Sequence, residues 1–530
     1  MNQPLTLEQT DAVRDFQTLL SSNVPPTPEQ ATSLMELVQQ EEYVSSKLLE
    51  DIARLQTQLD ALVEQSCGSR MKAQQYRTVL STARVLPAEI VRRIFIHCAE
   101  DSPVPLFPKA RGHPLSLAQI CSGWRKVALS TSELWNTINF EANSSTGVDK
   151  FIKLAREWFS RCHTGSVSLA FATRCRSPNV SELLSDIITK NSSKIGRLEL
   201  HLPTPFLTAF EKYPPDAFPL LRNLELHREE NFTAGDQGYR LDSRAFTPFQ
   251  SAPNLTGVFI SLPFTDVTPE DINLPWSQLS SLNLGATMIQ PDEILRVFAF
   301  CSKLNSCTVF LFNGQDWSGR ITLPHLTTLS LRIAPCELSE FLHCITVPAL
   351  QTLDVYLFRI GQFASVIWNT QSFTQLVTRS QCRIERLVIE GRGLEMDGFA
   401  DLLCSIPTLR ELTLKNVSSD GPLSAIDALL RMTPNNYEDP VLPLLRVLRW
   451  KESKICWSAV AIRRFIATRG WPVPEHSEFL VEEGDQRQGV QRLETVDIRS
   501  CKERFRFEWD EQLLEFKNRG LDLSYVMHQD

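Results

Sequence analysis

One short pattern recurs along more than half of this chain and limits what the chain can fold into. Leu-x-x-Leu-x-Leu, with Ile, Val, one Cys and one Trp as substitutes, occurs eleven times. Successive copies start 22 to 36 residues apart, except for a last step of 48. A motif that recurs at such intervals predicts stacked structural repeats rather than one compact core. The first apolar residues of the copies are Ile195, Leu221, Leu255, Leu279, Leu304, Leu326, Leu350, Ile384, Leu409, Leu445 and Leu493.

The central spacings match the period of leucine-rich repeats, which is about 20 to 29 residues. Each copy predicts a strand, and segments between copies, such as Pro291 to Phe300 and Glu337 to Cys344, predict short helices. We therefore predict an α/β fold in which residues 194–500 form a curved leucine-rich-repeat solenoid with a parallel sheet on its concave face. The longer gaps between copies indicate insertions.

Each predicted strand turns its apolar positions into the core, so its third, fifth and seventh positions face the concave surface. Among these positions we select a candidate target-binding set, because aromatic residues and arginine carry much of the energy of protein interfaces. The set is Phe259, Phe310, Arg332, Asp354 and Tyr356. The alternative is that these rings lie under insertions or under the terminal tail.

The N-terminal part predicts a mixed polar arm over residues 1–34, with a short helix near Leu7 to Leu20, and a heptad helix over residues 35–84. Leu48, Ile52, Leu55, Leu59 and Leu62 follow the four-three spacing of a coiled-coil seam. Two interpretations stay open. The segment forms a homodimer through residues 44–80, or it is a single helix or hairpin that folds back on its own chain.

Residues 85–140 predict a small helical module. It begins with Leu86-Pro87 and continues with Ile90, Val91, Ile94 and Phe95 at helical spacing, then Ile-Cys-x-x-Trp from Ile120 to Trp124, then Leu134-Trp135. Proline suits the first helical position because its missing N–H would have no partner there. The apolar face is wide for about fifty residues, so we expect a protein partner.

These residues resemble the F-box family, whose members dock on the adaptor Skp1 and recruit substrates to SCF-type ubiquitin ligases. The resemblance implies that a Skp1-type adaptor, and through it a cullin, binds this chain. The connection Asp101 to Pro114 is longer than an F-box usually has there. A heptad helix leading into Leu-Pro also resembles F-box proteins of mushroom-forming fungi. By position, the implied adaptor contacts are Leu86, Pro87, Ile90, Ile94, Ile120 and Trp124.

The composition argues against several classes of function. A net charge of -8 without a block of like charges disfavours nucleic-acid binding. The first residues lack a signal peptide and no window is apolar enough to span a membrane, so we expect a cytoplasmic or nuclear protein. Thirteen cysteines without a Cys-x-x-Cys pair argue against a zinc module and against disulfides. No catalytic motif is present, so we expect neither an enzyme nor a cofactor.

Residues 141–193 predict a cap that leads into the solenoid, and residues 501–530 predict a C-terminal cap in which Phe505 to Trp509 alternate as an edge strand. The resulting hypothesis is a non-catalytic substrate receptor of an SCF-type ubiquitin ligase, which binds Skp1 through the F-box and an unknown target protein through the repeats. The alternative is a repeat scaffold, dimeric or not, without coupling to a ligase.

Overall fold

The structure is a computed structural model of the 530-residue chain, and it divides into two compact units, Met1–Val91 and Arg92–Asp530. It describes residues 19–22, 24–100, 113–142, 145–162, 165–173, 178–203, 210, 212–228, 247–261, 272–312, 319–334, 338–358, 370–391, 399–415, 442–453, 459–467, 469–471, 490–500 and 511–527.

The first unit contains one long helix, α1 (Pro28–Val79), and this confirms the predicted N-terminal helix. Thr27 caps it: its hydroxyl accepts a hydrogen bond from the Gln30 N–H at 3.3 Å, while the Gln30 side chain accepts one from the Thr27 N–H at 3.0 Å. Pro28 is the first helical residue, where its missing N–H costs nothing. The helix has 52 residues without a break, which excludes a hairpin within this segment.

The predicted small module is helical, as expected from its spacing. It comprises α2 (Ala88–Glu100), α3 (Pro114–Leu117), α4 (Ser122–Ser130) and a 3₁₀ turn at Ser132–Trp135. Pro87 lies just before α2, and its carbonyl accepts the N–H groups of Ile90 and Val91 at 3.1 Å. Residues 101–112 of the long proline-rich connection lie outside the described residues.

Among the described residues, fourteen strands form one parallel sheet in which they follow one another in the order of the chain, and two further short strands form a second sheet. Each of the eleven sequence motifs contributes one strand, so the predicted parallel sheet is confirmed. The motif strands are β3 (Ile195–Leu202), β4 (Asn223–Arg228), β5 (Gly257–Ser261), β6 (Ser281–Ile289), β7 (Ser306–Leu311), β9 (Thr328–Ile333), β11 (Thr352–Leu357), β12 (Arg386–Gly391), β13 (Glu411–Lys415), β14 (Val447–Ser453) and β15 (Thr495–Ser500). The small sheet pairs β8 (Ile321–Thr322) with β10 (Ile345–Thr346).

The motif positions form the core of this sheet. The first, fourth and sixth apolar residues of all eleven copies are at most 3% exposed, including Cys307 and Trp450. Neighbouring copies pair with few register shifts, so equivalent residues stack from strand to strand: Leu329 in β9 pairs with Cys307 in β7 and with Leu353 in β11. The repeat therefore sets both which residues are buried and which residues become neighbours.

Helices follow several of the strands. They are α5 (Ser145–Ser160), α6 (Pro178–Asn191), α7 (Pro291–Phe300), α8 (Leu338–Cys344), α9 (Thr370–Ser380), α10 (Phe399–Cys404), α11 (Ala459–Ala467) and α12 (Glu511–Asn518). The predicted segment Pro291 to Phe300 is α7 residue for residue, with a capping box at Gln290 and Glu293.

The sheet extends beyond the motifs at both ends. Before them lie β1 (Thr137–Ala142) and β2 (Val167–Thr173), and after them lies β16 (Asp522–Met527), which pairs with β15. β1 begins inside the region predicted as the small module. The predicted edge strand Phe505 to Trp509 lies outside the described residues, as does most of the predicted helix Leu7 to Leu20.

Candidate protein-interaction surfaces

Helix α2 has apolar residues on two faces. Val91 and Phe95 point inward and are 2% and 0% exposed. Ile90 and Ile94, one turn apart, remain 42% and 39% exposed, and Leu86 before the helix is 38% exposed. A helix that only packed on its own chain would carry polar residues on its outer face. The outer face of α2 is therefore an apolar surface that the described part of the chain leaves open.

The second part of the predicted adaptor set lies around the start of α4. Ile120 is 57% exposed just before that helix, whereas Trp124 is half-buried. The Trp124 ring packs edge-on against Phe95, with ring centroids 5.2 Å apart. Cys121 caps α4, because its Sγ accepts the Trp124 N–H at 3.4 Å. Trp124 thus packs within the module, and its predicted adaptor contact stays a prediction.

The sheet has an open face, which we define as the face that carries the third, fifth and seventh positions of the motif strands. In β7, β9 and β11 these side chains are half-buried or exposed, while the alternating positions are buried. The face is less open towards the C-terminus, since Val388 and Thr413 are 3% and 7% exposed. All five predicted target-binding residues lie on this face.

Three of the five residues form one row. Phe310 in β7 pairs in register with Arg332 in β9, which pairs with Tyr356 in β11. Arg332 Nη1 donates a hydrogen bond to the Gly285 carbonyl at 3.0 Å. Gly285 lies where the register of β6 shifts between Leu284 and Met288, so the arginine holds a bulge at the edge of the row.

Asp354 lies two residues before Tyr356 on the same face of β11. Its side chain is 18% exposed, and the Arg386 Nε atom is 4.0 Å from its Oδ1. Within the described part of the chain, this Oδ1 accepts no hydrogen bond. Burial raises the pKa of the Asp354 carboxyl above its ordinary value, and the nearby Arg386 and Lys415 only partly oppose this. The site therefore holds an acceptor that a bound donor could satisfy.

Phe259 does not join this row. It lies on β5, where its ring stacks on His227 with centroids 4.6 Å apart. His227 in turn stacks on His201 at 3.8 Å, and the planes of the two imidazoles differ by 6°. The three rings form a ladder across β3, β4 and β5. The sequence places aromatic residues and histidines at these positions, but it does not show that the rings stack.

Two carboxylates lie beside this ladder. Glu199 Oε1 is 3.1 Å from His201 Nε2, and this hydrogen bond is the main reason why the pKa of Glu199 is lowered. Arg197 Nη2 donates to Glu225 at 2.6 Å and to Glu199 at 3.3 Å. The target-binding set chosen from the sequence omitted these residues, although their alternation on the strands was visible there.

The late strands carry a network of ion pairs on the same face. Lys415 Nζ is 3.2 Å from Glu390, and Lys451 Nζ is 2.9 Å from Asp497. Arg449 is 3.8 Å from Glu411. Neighbouring acids therefore neutralise these lysines and Arg449.

Several of the described cysteines are buried, and burial makes their thiols poor nucleophiles. Burial raises the pKa of Cys301 to about 12 and that of Cys382 to about 11. Such thiols stay protonated at neutral pH and react slowly. Among the described residues, no group of three or more His, Cys, Asp and Glu side chains is arranged to hold a metal ion. None of the described helices is long and apolar enough to cross a membrane.

The sequence matches no family model and no curated protein. Among solved structures, the chain is similar to a chain of the yeast Rad7 and Elc1 complex, at 13% sequence identity and a TM-score of 0.29. The similarity covers 76% of this chain and 96% of that chain. At this TM-score the similarity carries no inference about function, which has to be argued from the surfaces described above.

Proposed function

We propose that this protein is a non-catalytic substrate receptor of an SCF-type ubiquitin ligase. In this proposal the module of residues 85–140 binds a Skp1-type adaptor, and through it a cullin, in the cytoplasm or nucleus. The open face of the sheet binds a target protein. The receptor would contribute proximity between target and conjugating enzyme rather than chemistry of its own.

The observation that carries the proposal is the second apolar face of α2. Leu86, Ile90, Ile94 and Ile120 are between 38% and 57% exposed, although Val91 and Phe95 of the same helix are buried. Completing the burial of each exposed aliphatic side chain would contribute about 1 kcal/mol, since full burial is worth roughly 1.5–3 kcal/mol. An adaptor with a matching apolar groove explains why this face carries isoleucines instead of polar residues.

Capture by purified Skp1 adaptor tests this step. The double variant Ile90→Asp/Ile94→Asp places charges on exposed positions and leaves Val91 and Phe95 in place, so it should fold normally and lose capture. Glu89→Lys changes an exposed residue of the same helix on another side, and it should keep capture. Failure of the unchanged chain to bind the adaptor, or binding by the double variant, would refute the proposed docking.

We place the centre of target binding at Phe310, Arg332 and Tyr356. These side chains are adjacent in register, and aromatic residues beside an arginine are typical of interface hot spots. Asp354 would accept a hydrogen bond from the target, and Phe259 with its ring ladder would form a second, separate contact. A curved sheet with this face inward would surround the target on a concave surface.

Affinity capture with mass spectrometry identifies the target, and alanine variants then test the site. Phe310→Ala/Tyr356→Ala should weaken target binding at least tenfold, because two anchor rings are lost. Arg449 lies on the same face within the ion-pair network, and Arg449→Ala should have little effect on target binding. Equal binding by all three proteins would show that the target binds elsewhere.

The alternative is an interaction scaffold without coupling to a ligase. It is supported by α1, whose apolar residues are exposed along its length and suit assembly with another chain, such as a homodimer through residues 44–80. Adaptor capture separates the two proposals. A chain that binds its target but not Skp1 would be a scaffold.

A further inference from the structure

Helix α1 exposes an apolar seam from Leu48 to Leu62. Leu48, Ile52, Leu55, Leu59 and Leu62 are 50% to 63% exposed, and no residue of Pro28–Val79 is buried. Packing of an apolar face, more than intrinsic propensity, stabilises most helices in water. A helix of 52 residues with such a seam therefore needs a partner that the described part of this chain does not supply.

The charges of α1 are divided between its two ends. Pro28 to Glu50 contains five glutamates and one lysine, whereas Gln65 to Val79 contains three bases and no acid. Two parallel copies would place acid beside acid and base beside base. Two antiparallel copies would place the acidic end of each helix along the basic end of the other, which is electrostatically favourable at both ends.

The heptad positions agree with the antiparallel arrangement. In one register Ile52 lies opposite Leu62 of the second copy, and Leu55 lies opposite Leu59. Further out, Val38 meets Tyr76. The same register sets Ser45 against Ser69, so small polar residues share a layer, and it places Glu42 beside Arg70 at the edge of the seam. In a parallel pair, Glu41 would face its own copy within the seam.

We propose that α1 forms an antiparallel two-stranded coiled coil with a second copy of this chain. The C-terminal ends of the two helices would then lie about 66 Å apart, because some 44 residues at 1.5 Å each separate them. Only eight residues, 80–87, connect α1 to α2. The dimer would carry two adaptor-binding modules and allow one target to be bound at two points.

Light scattering of the purified full chain tests the association. We expect twice the monomer mass of 60.2 kDa. Leu55→Lys/Leu59→Lys should give monomers with unchanged thermal melting of the sheet, since neither residue is buried in the monomer. Thr57→Lys/Ala61→Lys has the same charge and spacing on the opposite side of α1 and should remain dimeric. A monomeric unchanged chain, or a dimeric Leu55→Lys/Leu59→Lys chain, would overturn the proposal.

Disulfide formation tests the direction. A mixture of Val38→Cys chains and Tyr76→Cys chains should form the mixed cross-link on mild oxidation, and neither variant alone should form its own. Cross-linking of each variant with itself would show a parallel pair and overturn the arrangement. Adaptor capture is measured in the same samples: Leu55→Lys/Leu59→Lys should still bind Skp1, and Ile90→Asp/Ile94→Asp should still dimerise, so failure of this inference is distinguishable from failure of the proposed function.

Discussion

Asp354 and Asp497 are the same residue type at the same position of two motif strands, yet we expect opposite effects on stability when each is changed to asparagine. Oδ1 of Asp354 accepts no hydrogen bond within the described part of the chain, and its nearest cation, Arg386, is 4.0 Å away. Asp497 is 8% exposed and lies 2.9 Å from Lys451 Nζ. One carboxylate is poorly compensated and the other is paired.

The structure sets the size of each effect. A buried charge without a partner costs several kcal/mol, but the 18% exposure of Asp354 and the proximity of Arg386 offset most of this. Asp354→Asn should therefore increase the free energy of unfolding by about 1 kcal/mol. Asp497→Asn removes the negative charge from an ion pair whose carboxylate is buried, and it should decrease the free energy of unfolding by about 2 kcal/mol.

The pH dependence gives an independent check. Burial raises the pKa of the Asp354 carboxyl in the folded protein above the ordinary aspartate pKa of 3.8. The carboxyl therefore favours folding at low pH, and this contribution is lost as the pH rises from 3.8 through the raised pKa. The difference in the free energy of unfolding between Asp354→Asn and the unchanged chain should thus be present at pH 7 and shrink as the pH falls through that window.

Urea unfolding at several pH values, followed by circular dichroism, measures both effects. A loss of stability in Asp354→Asn at pH 7 would show that the carboxylate has a compensating partner and would refute the reasoning. Under the proposed function, the same variant should bind the target more weakly. A residue that destabilises the free protein but contributes to binding is typical of a functional site.

Three further predictions concern the fold. Gly391→Ala should cost about 1–3 kcal/mol in urea unfolding, because the new Cβ would lie 2.5 Å from the Leu357 Cβ on the neighbouring strand. Trp135→Phe should cost about 1–2 kcal/mol in the same assay, since its buried indole N–H donates a hydrogen bond to a backbone carbonyl at 2.8 Å. A thiol-specific reagent should modify exposed Cys67 rapidly but buried Cys301, whose pKa is raised to about 12, only on unfolding; equal rates would contradict the burial.

Much of the fold could be predicted because its signal is local and repeated. In each copy of the motif, three apolar residues at fixed spacing define one buried face, and all eleven copies form strands of the sheet. β1 and β16 were not predicted, since each is a single strand of six residues without the repeat. A short alternating run is ambiguous when no second copy supports it.

The candidate sites were predicted less completely. Spacing placed Ile90 and Ile94 on α2, but their exposure follows from how the module packs, with Phe95 and Trp124 facing inward. The target-binding residues were chosen by type, and only three of them are adjacent in register. The ring ladder through Phe259 and the contact of Arg332 with the Gly285 carbonyl depend on which strands are neighbours.

The sequence by itself determined the eleven motif strands, their buried positions and the long heptad helix, because periodicity specifies which side of an element avoids water. Tertiary structure decided which side chains meet across strands, which carboxylate oxygen accepts no hydrogen bond among the described residues, and which apolar residues stay exposed. Those properties depend on the register between segments that lie tens of residues apart, and no local pattern records that register.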